Sequence, residues 1–79
     1  MPESGDRLLK MGEVVGESGL SRQVIHNYTV LGLIRAAGRT AGGHRLYPRS
    51  VFERLRIIRG LTERGYTLRD IAETYLRNK

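Results

Sequence analysis

The 79-residue chain has no cysteine and only two histidines. Without cysteine there is no disulfide, no thiolate metal ligand and no cysteine nucleophile. The histidines, His26 and His44, are too far apart in sequence to form a metal-binding cluster of the usual spacing. No nucleophile–base pair and no carboxylate pair is recognisable. We therefore predict no metal, no cofactor and no enzymatic activity.

Long apolar runs are also missing. No segment approaches the ~20 residues that a membrane-spanning helix needs, and the polar start MPESGDR does not have the pattern of a secretory signal. Together with the lack of cysteine, these features favour a reducing, cytoplasmic setting. Residues 1–9 show no periodicity and are expected to form a flexible leader, followed by one small domain over residues 10–79.

Positive charge is abundant and unevenly distributed. The formal net charge is +6, and residues 35–69 contain nine arginines against two acids, Glu53 and Glu63. This concentration is typical of a protein that meets a polyanion. A solvated basic surface without a partner is the alternative, and charge alone does not decide between them.

The first half of the domain has the pattern of a helix-turn-helix. Residues 10–16 place apolar side chains at helical spacing, and Gly19 suits a left-handed turn after that helix. Ser21 is a good N-cap for a second helix over residues 21–31, whose outer face is polar. Two short helices of this kind, joined by a glycine turn, are typical of the helix-turn-helix.

The second half predicts a β-hairpin. Short strands are expected at residues 33–36 and 44–47, with the pair Gly42-Gly43 supplying positive φ at the bend between them. A β-hairpin after a helix-turn-helix is a wing, here spanning residues 36–47.

Two further helices follow the hairpin. The third is expected from a Ser50 cap to about Arg64, and Gly60 inside it suggests close packing against a neighbour. The fourth begins at Thr67, which has capping-box spacing with Asp70. The predicted fold is therefore mainly α with a small β-hairpin: a winged helix-turn-helix with four helices and a two-stranded wing.

Several side chains on these elements have the chemistry of DNA contacts. Arg22 and Gln23 suit the major-groove edges of guanine and adenine, although an ordinary solvent-facing helix would look the same. Arg39, His44 and Arg45 on the wing would contact phosphates, which orient a protein without reading sequence. The role of Tyr47 is open between a phosphate contact and core packing.

Two stretches of the chain resemble the DNA-binding domain of the MerR (mercury-resistance regulator) family of bacterial transcription regulators. They read KMGEVVGESGLSRQVIHNYTVLGLI and GGHRLYPRSVFERLRIIRGLTERGYTLRDIAETY. Their order and spacing are more specific than any single part. The resemblance implies a winged-helix fold whose second helix enters the major groove of double-stranded operator or promoter DNA.

The resemblance also implies site residues. By position, Arg22, Gln23 and His26 fall where the family contacts bases and nearby phosphates, and they are the expected base contacts. Tyr28 falls on a tyrosine that the family uses against the backbone, and Arg45 and Tyr47 fall on its wing pair. Together with the candidates chosen from side-chain chemistry and charge, the complete set of expected backbone contacts is Ser21, Asn27, Tyr28, Arg35, Arg39, His44, Arg45 and Tyr47, with further candidates among Arg49, Arg54 and Arg56. The sequence HNYT, at His26 to Thr29, departs from the family, which usually has an arginine, two aromatics and an acid there. Contacts at the middle of the helix are therefore expected to be weaker or redirected.

Partners follow from the same resemblance. Family members distort promoters so that RNA polymerase can engage them, and they dimerise through a long coiled-coil helix. No such helix is evident here, so we expect a monomer or weak dimer in isolation. The chain is then either the N-terminal domain of a longer regulator or a minimal member. Alternative interpretations are an excisionase-like architectural protein and a basic module that docks an acidic, DNA-mimicking antirepressor.

Overall fold

A computed structural model describes residues 7–75. Its elements are β1 (Leu9–Lys10), α1 (Met11–Ser18), α2 (Arg22–Val30), β2 (Gly38–Arg39), β3 (Arg45–Tyr47), α3 (Val51–Glu63) and α4 (Leu68–Asp70), which continues as one π-helical turn over Ile71–Tyr75. The predicted fold class, with four helices and a small antiparallel hairpin, is confirmed. Residues 1–6 of the expected leader and residues 76–79 of the expected domain lie outside the described part. No helix within residues 7–75 is long and apolar enough to cross a membrane.

Local signals position the two helices of the helix-turn-helix. Gly19 ends α1 in the left-handed region, at φ 77°. The Ser21 hydroxyl then accepts a hydrogen bond from the Val24 N–H at 3.1 Å, which satisfies one free amide at the start of α2. Val14 and Ile25 are both fully buried. The two caps therefore fix the turn between helices whose apolar faces meet in the core.

One strand was not anticipated. Leu9, which the sequence assigned to the leader, lies in β1 and is only 1% exposed. β1 pairs with β3 in the antiparallel sense, with Leu9 opposite Tyr47 and Lys10 opposite Leu46. The sheet therefore has three strands in the order β1-β3-β2. At Leu9 the flexible-leader expectation is wrong, because this single apolar side chain is held by a partner far along the chain.

The first strand of the wing was predicted too early. Leu33 and Ile34 are core residues in the turn after α2, and both of their N–H groups donate to the Tyr28 carbonyl. Their apolar character reflects burial rather than strand pairing. The wing strand is β2, where Gly38 lies opposite Leu46 and Arg39 opposite Arg45.

The sequence expectations for α3 were partly wrong. Ser50 makes no side-chain cap and has helical angles, φ −62° and ψ −13°, because a turn that starts at Pro48 already leads into the helix. Gly60 is exposed, and a Cβ placed on it would meet no heavy atom within 4 Å other than those of its chain neighbours and its own helix backbone. It therefore does not serve close packing.

The start of α4 agrees with the predicted capping box. The Thr67 hydroxyl accepts from the Asp70 N–H at 3.0 Å, and the Asp70 carboxylate accepts from the Thr67 N–H at 3.3 Å. Two free amides are satisfied reciprocally. Ile71, directly after this turn, is buried against the core.

A single hydrophobic core holds the wing strand β3 against the helices. Tyr47 is its largest fully buried side chain. The Tyr47 hydroxyl lies 2.8 Å from Thr29 Oγ1 on α2. The buried core residues are Leu9, Val14, Ile25, Leu33, Ile34, Tyr47, Val51, Leu55, Ile58 and Ile71.

Candidate nucleic-acid interface

The start of α2 and the tip of the wing face each other across a surface groove of about 590 Å³. We call it the basic groove. It is lined by Met11, Arg22, Gln23, His26, Arg39, Gly43, His44 and Arg45. Six of the predicted DNA-contacting residues are thus brought together from two separate elements, which the sequence pattern alone did not place side by side.

The basic groove has cationic and histidine side chains on both walls and no acidic lining among the described residues. Arg22 lies on the α2 side, and Arg39 and Arg45 lie on the wing side. The ion pairs that the structure describes are all elsewhere: Arg7–Glu13, Arg49–Glu17 and Arg59–Glu63. The groove therefore presents guanidinium groups to an incoming anion without an internal counter-charge.

The wing tip is held by its own hydrogen bonds. The Thr40 N–H donates to the His44 carbonyl at 2.8 Å, and the Gly43 N–H donates to the Thr40 carbonyl at 2.9 Å. Gly43 has φ 87°, while Gly42 does not have positive φ, so one glycine of the predicted pair makes the bend. Arg39 Nη1 donates to the Gly43 carbonyl at 3.0 Å, which holds this cation across the loop.

A second hollow, of about 350 Å³, continues the basic groove towards the N-terminus of α1. It adds Lys10, Gly12 and Thr40 to the lining. Sequence reasoning missed these residues as site candidates, since only the pairing of β1 with β3 brings Lys10 to the wing. A lysine before a helix carries no local signal of that long-range contact.

Glu13 fixes the start of α1 beside this hollow. Its carboxylate accepts from the Lys10 backbone N–H at 2.8 Å and from Arg7 Nη1 at 3.0 Å. The backbone hydrogen bond, followed by that of Arg7, holds the pKa of the Glu13 carboxyl below its ordinary value. The carboxylate is thus stabilised as the anion at the positive end of the helix.

The outer face of α2 is polar along its exposed turns. Gln23 Nε2 donates to Asn27 Oδ1 at 3.0 Å, so these two carboxamides form a pair one helical turn apart. Ser21, Arg22, His26 and Asn27 are all exposed. Ser21 and Asn27 do not line the basic groove and lie along its α2 flank.

The structure corrects the assignment of Tyr47. Its side chain has 0% exposed surface, and its hydroxyl is engaged with Thr29. A phosphate cannot reach it in this conformation, so Tyr47 is a core residue and not a backbone contact.

Two other predicted contacts lie apart from the basic groove. Tyr28 is half-buried and lines a different groove together with Leu20 and Phe52. Arg35 is exposed in the turn after α2 and lines neither wall of the basic groove.

The arginines that follow the wing have intramolecular partners or lie elsewhere. Arg49 pairs with Glu17 at 3.2 Å and lies over the Phe52 ring, 5.5 Å from its centroid. Arg54 Nη1 lies 3.5 Å from the Leu33 carbonyl, across the turn that follows α2. Arg56 lines the groove that contains Tyr28.

A capped helix that faces a β-hairpin across an acid-free groove defines a winged helix-turn-helix DNA-binding domain. The family model for MerR HTH family regulatory proteins matches residues 9–77, and the chain belongs to this family. It is 40% identical to the nodulation protein NolA of Bradyrhizobium sp. (strain NC92) over 65 residues, and this matched region covers 82% of this chain and 27% of that protein. It is 36% identical to the mercuric resistance operon regulatory protein of Bacillus cereus over 62 residues, and this matched region covers 78% of this chain and 47% of that protein.

Solved structures agree with this fold. The N-terminus of MtaN, the Bacillus subtilis multidrug transporter activator, superposes with a TM-score of 0.74 at 33% identity, over 81% of this chain and 60% of that one. A MerR-family transcriptional regulator from Bacillus cereus superposes with a TM-score of 0.75 at 23% identity, over 89% and 52%. The chain thus spans less than half the length of the two curated relatives named above.

These comparisons confirm the predicted family and fold. The chain is a MerR-family helix-turn-helix DNA-binding domain, and the relatives named here are transcription regulators or a nodulation protein. An excisionase-like architectural protein and a DNA-mimic docking module are not favoured by them.

Proposed function

We propose that this domain binds operator DNA sequence-specifically, with α2 in the major groove and the β2–β3 wing along the adjacent backbone. One observation carries the proposal: side chains from α2 and from the wing converge on a single groove without acidic lining. Major grooves are about 12 Å wide and admit one helix, and a neighbouring hairpin then meets phosphates.

The residues divide by position. Arg22, Gln23 and His26 lie on the first turns of α2 and would contact base edges, which carry sequence information. The wing and flank residues Arg39, His44, Arg45 and Lys10 would contact phosphates, which give affinity and orientation. Ser21, Asn27, Tyr28 and Arg35 would extend the backbone contacts on either side.

One copy of the domain would occupy a half-site with modest affinity. A second copy, joined by a segment of the whole regulator, would supply most of the useful affinity through effective concentration. In this arrangement RNA polymerase engages the promoter that the regulator shapes, and an acidic antirepressor would compete with DNA for the basic groove.

Binding to a randomised duplex library tests the proposal. The wild-type chain should enrich a short motif. Arg22→Ala should flatten preference at one base pair, with a loss of ~1–3 kcal/mol of discrimination. Arg39→Ala is the matched control, since it removes the same charge from the wing and should weaken binding to all sequences alike.

The outcomes are distinct. If Arg22→Ala and Arg39→Ala both leave binding to every duplex unchanged, the assignment of the basic groove is wrong. If the wild-type chain binds DNA but enriches no motif, the sequence-specific part of the proposal is wrong.

A further inference from the structure

Asn27 occupies a position on α2 that lies beside the base-reading residues without lining the groove. It is exposed, it lies one helical turn after Gln23, and its Oδ1 accepts a hydrogen bond from Gln23 Nε2 at 3.0 Å. Gln23 itself lines the basic groove. The contact therefore joins a groove residue to a neighbour behind it on the same helix.

This hydrogen bond changes what the Gln23 carboxamide can offer. A free carboxamide has two N–H donors and one carbonyl acceptor. With one N–H donated to Asn27, Gln23 keeps one donor and its carbonyl oxygen for a ligand. The side chain is also held in one orientation, which reduces the rotamer freedom it would lose on binding.

One donor beside one acceptor matches a single base in the major groove. Adenine presents an acceptor at N7 and a donor at N6. Guanine presents two acceptors, N7 and O6, and the Gln23 carbonyl would face one of them in repulsion. A Gln23 side chain free to rotate could instead turn its donors towards guanine.

We propose that Asn27 is a specificity-determining positioning residue, which holds the Gln23 carboxamide so that α2 selects adenine over guanine at one position of the operator. The inference rests on the proposed function, since it requires Gln23 to face a base edge. Asn27 acts through Gln23, and it need not touch DNA to do so.

The test uses the full chain and a duplex selected by the wild type from a randomised library. Gln23→Ala first identifies the base pair that depends on Gln23. Dissociation constants are then measured on duplexes with adenine or guanine at that position, and the wild type should prefer adenine by roughly tenfold or more.

Two substitutions of Asn27 separate positioning from direct contact. Asn27→Ala removes the acceptor and should lower the adenine-to-guanine ratio severalfold. Asn27→Asp keeps an oxygen acceptor for Gln23 Nε2 but adds negative charge, so it should retain the ratio while weakening binding to both duplexes. Circular dichroism should show unchanged helix content, because Asn27 lies outside the hydrophobic core.

Other outcomes overturn the inference. If Asn27→Ala weakens both duplexes equally and keeps the wild-type ratio, Asn27 is only a phosphate contact. If Asn27→Asp lowers the adenine-to-guanine ratio as much as Asn27→Ala does, the oxygen acceptor at residue 27 does not determine the preference for adenine. A wild-type chain that enriches no motif would instead overturn the proposed function itself, and Gln23→Ala with an unchanged motif would overturn the role of Gln23.

Discussion

Removal of one oxygen atom, by Tyr47→Phe, should lower stability modestly and leave DNA binding intact. Tyr47 is fully buried, and its hydroxyl meets Thr29 Oγ1 at 2.8 Å. Thr29 Oγ1 also donates its single hydrogen to the Ile25 carbonyl at 2.8 Å. The Tyr47 hydroxyl is therefore the donor and Thr29 the acceptor in the bond between wing strand and α2.

The direction of this hydrogen bond determines how much unfolding free energy each substitution should cost. In Tyr47→Phe the Thr29 hydroxyl keeps its own bond to Ile25, so only a net hydrogen bond of about 1 kcal/mol is lost. In Thr29→Val the Tyr47 hydroxyl stays buried without an acceptor, at a cost of ~1–3 kcal/mol. Thr29→Val should therefore be the more damaging change, and Thr29→Ser, which keeps the hydroxyl, should be close to wild type. Against the roughly 4–12 kcal/mol typical of a domain this size, the loss in Tyr47→Phe is modest and the loss in Thr29→Val is the larger share.

Urea unfolding followed by circular dichroism measures these free energies, and fluorescence anisotropy on one duplex measures DNA affinity for the same variants. The dissociation constant of Tyr47→Phe should equal that of the wild type. A large loss of affinity with unchanged unfolding free energy would show that the hydroxyl contacts DNA, and a smaller cost for Thr29→Val than for Tyr47→Phe would contradict the donor assignment.

Further predictions concern stability, pH and salt. Gly60→Ala should raise the unfolding free energy by roughly 0.5–1 kcal/mol, because its added Cβ meets open space; a lower thermal midpoint would contradict this. The pKa of Glu13 is lowered in the fold, so its stabilisation is present above the ordinary value of 4.5 and is lost as pH falls. In urea unfolding, the free energy of unfolding of the wild type should exceed that of Glu13→Gln by less and less as the pH is lowered. A difference that grows on acidification would contradict a lowered pKa for Glu13. With about 4–6 phosphates neutralised, a plot of log K against log salt should have a slope of about −0.9 per phosphate, and Arg39→Ala should make it shallower by about one.

Features set by neighbours in the chain were predictable from sequence. Ser21 caps α2, Gly19 ends α1, and Thr67 with Asp70 starts α4, each through bonds spanning a few residues. The helix-turn-helix, including the turn between α1 and α2, follows from such local chemistry. The same holds for the polar outer face of α2, whose exposed positions follow the helical period.

Features set by distant contacts were not predictable. Leu9 gave no periodic signal, yet pairing with Tyr47 makes it part of the sheet. Leu33 and Ile34 are apolar because they fill the core, which a short apolar run cannot distinguish from a strand. Ser50 fails as a cap because it already has helical angles itself, within a turn that starts at Pro48.

The candidate site divides in the same way. The residues on α2 could be selected from sequence because a capped helix exposes its polar face by geometry. The burial of Tyr47 could not be predicted, since a tyrosine on a short strand can be either solvent-exposed or buried. The hydrogen bond between Gln23 and Asn27 could not be predicted from sequence. Two carboxamides one helical turn apart are close enough to pair, but most such neighbours do not form a hydrogen bond.

Strand β1, at the N-terminal end of the domain, pairs with strand β3 of the wing. During synthesis Leu9 and Lys10 emerge before both helices of the helix-turn-helix, but their partners in β3 emerge only after those helices and the wing loop. The sheet can therefore close only late. For anyone expressing the domain, shortening the N-terminus past Leu9 removes the edge strand from β3, and an affinity tag fused directly at Lys10 would lie against the hollow beside the wing.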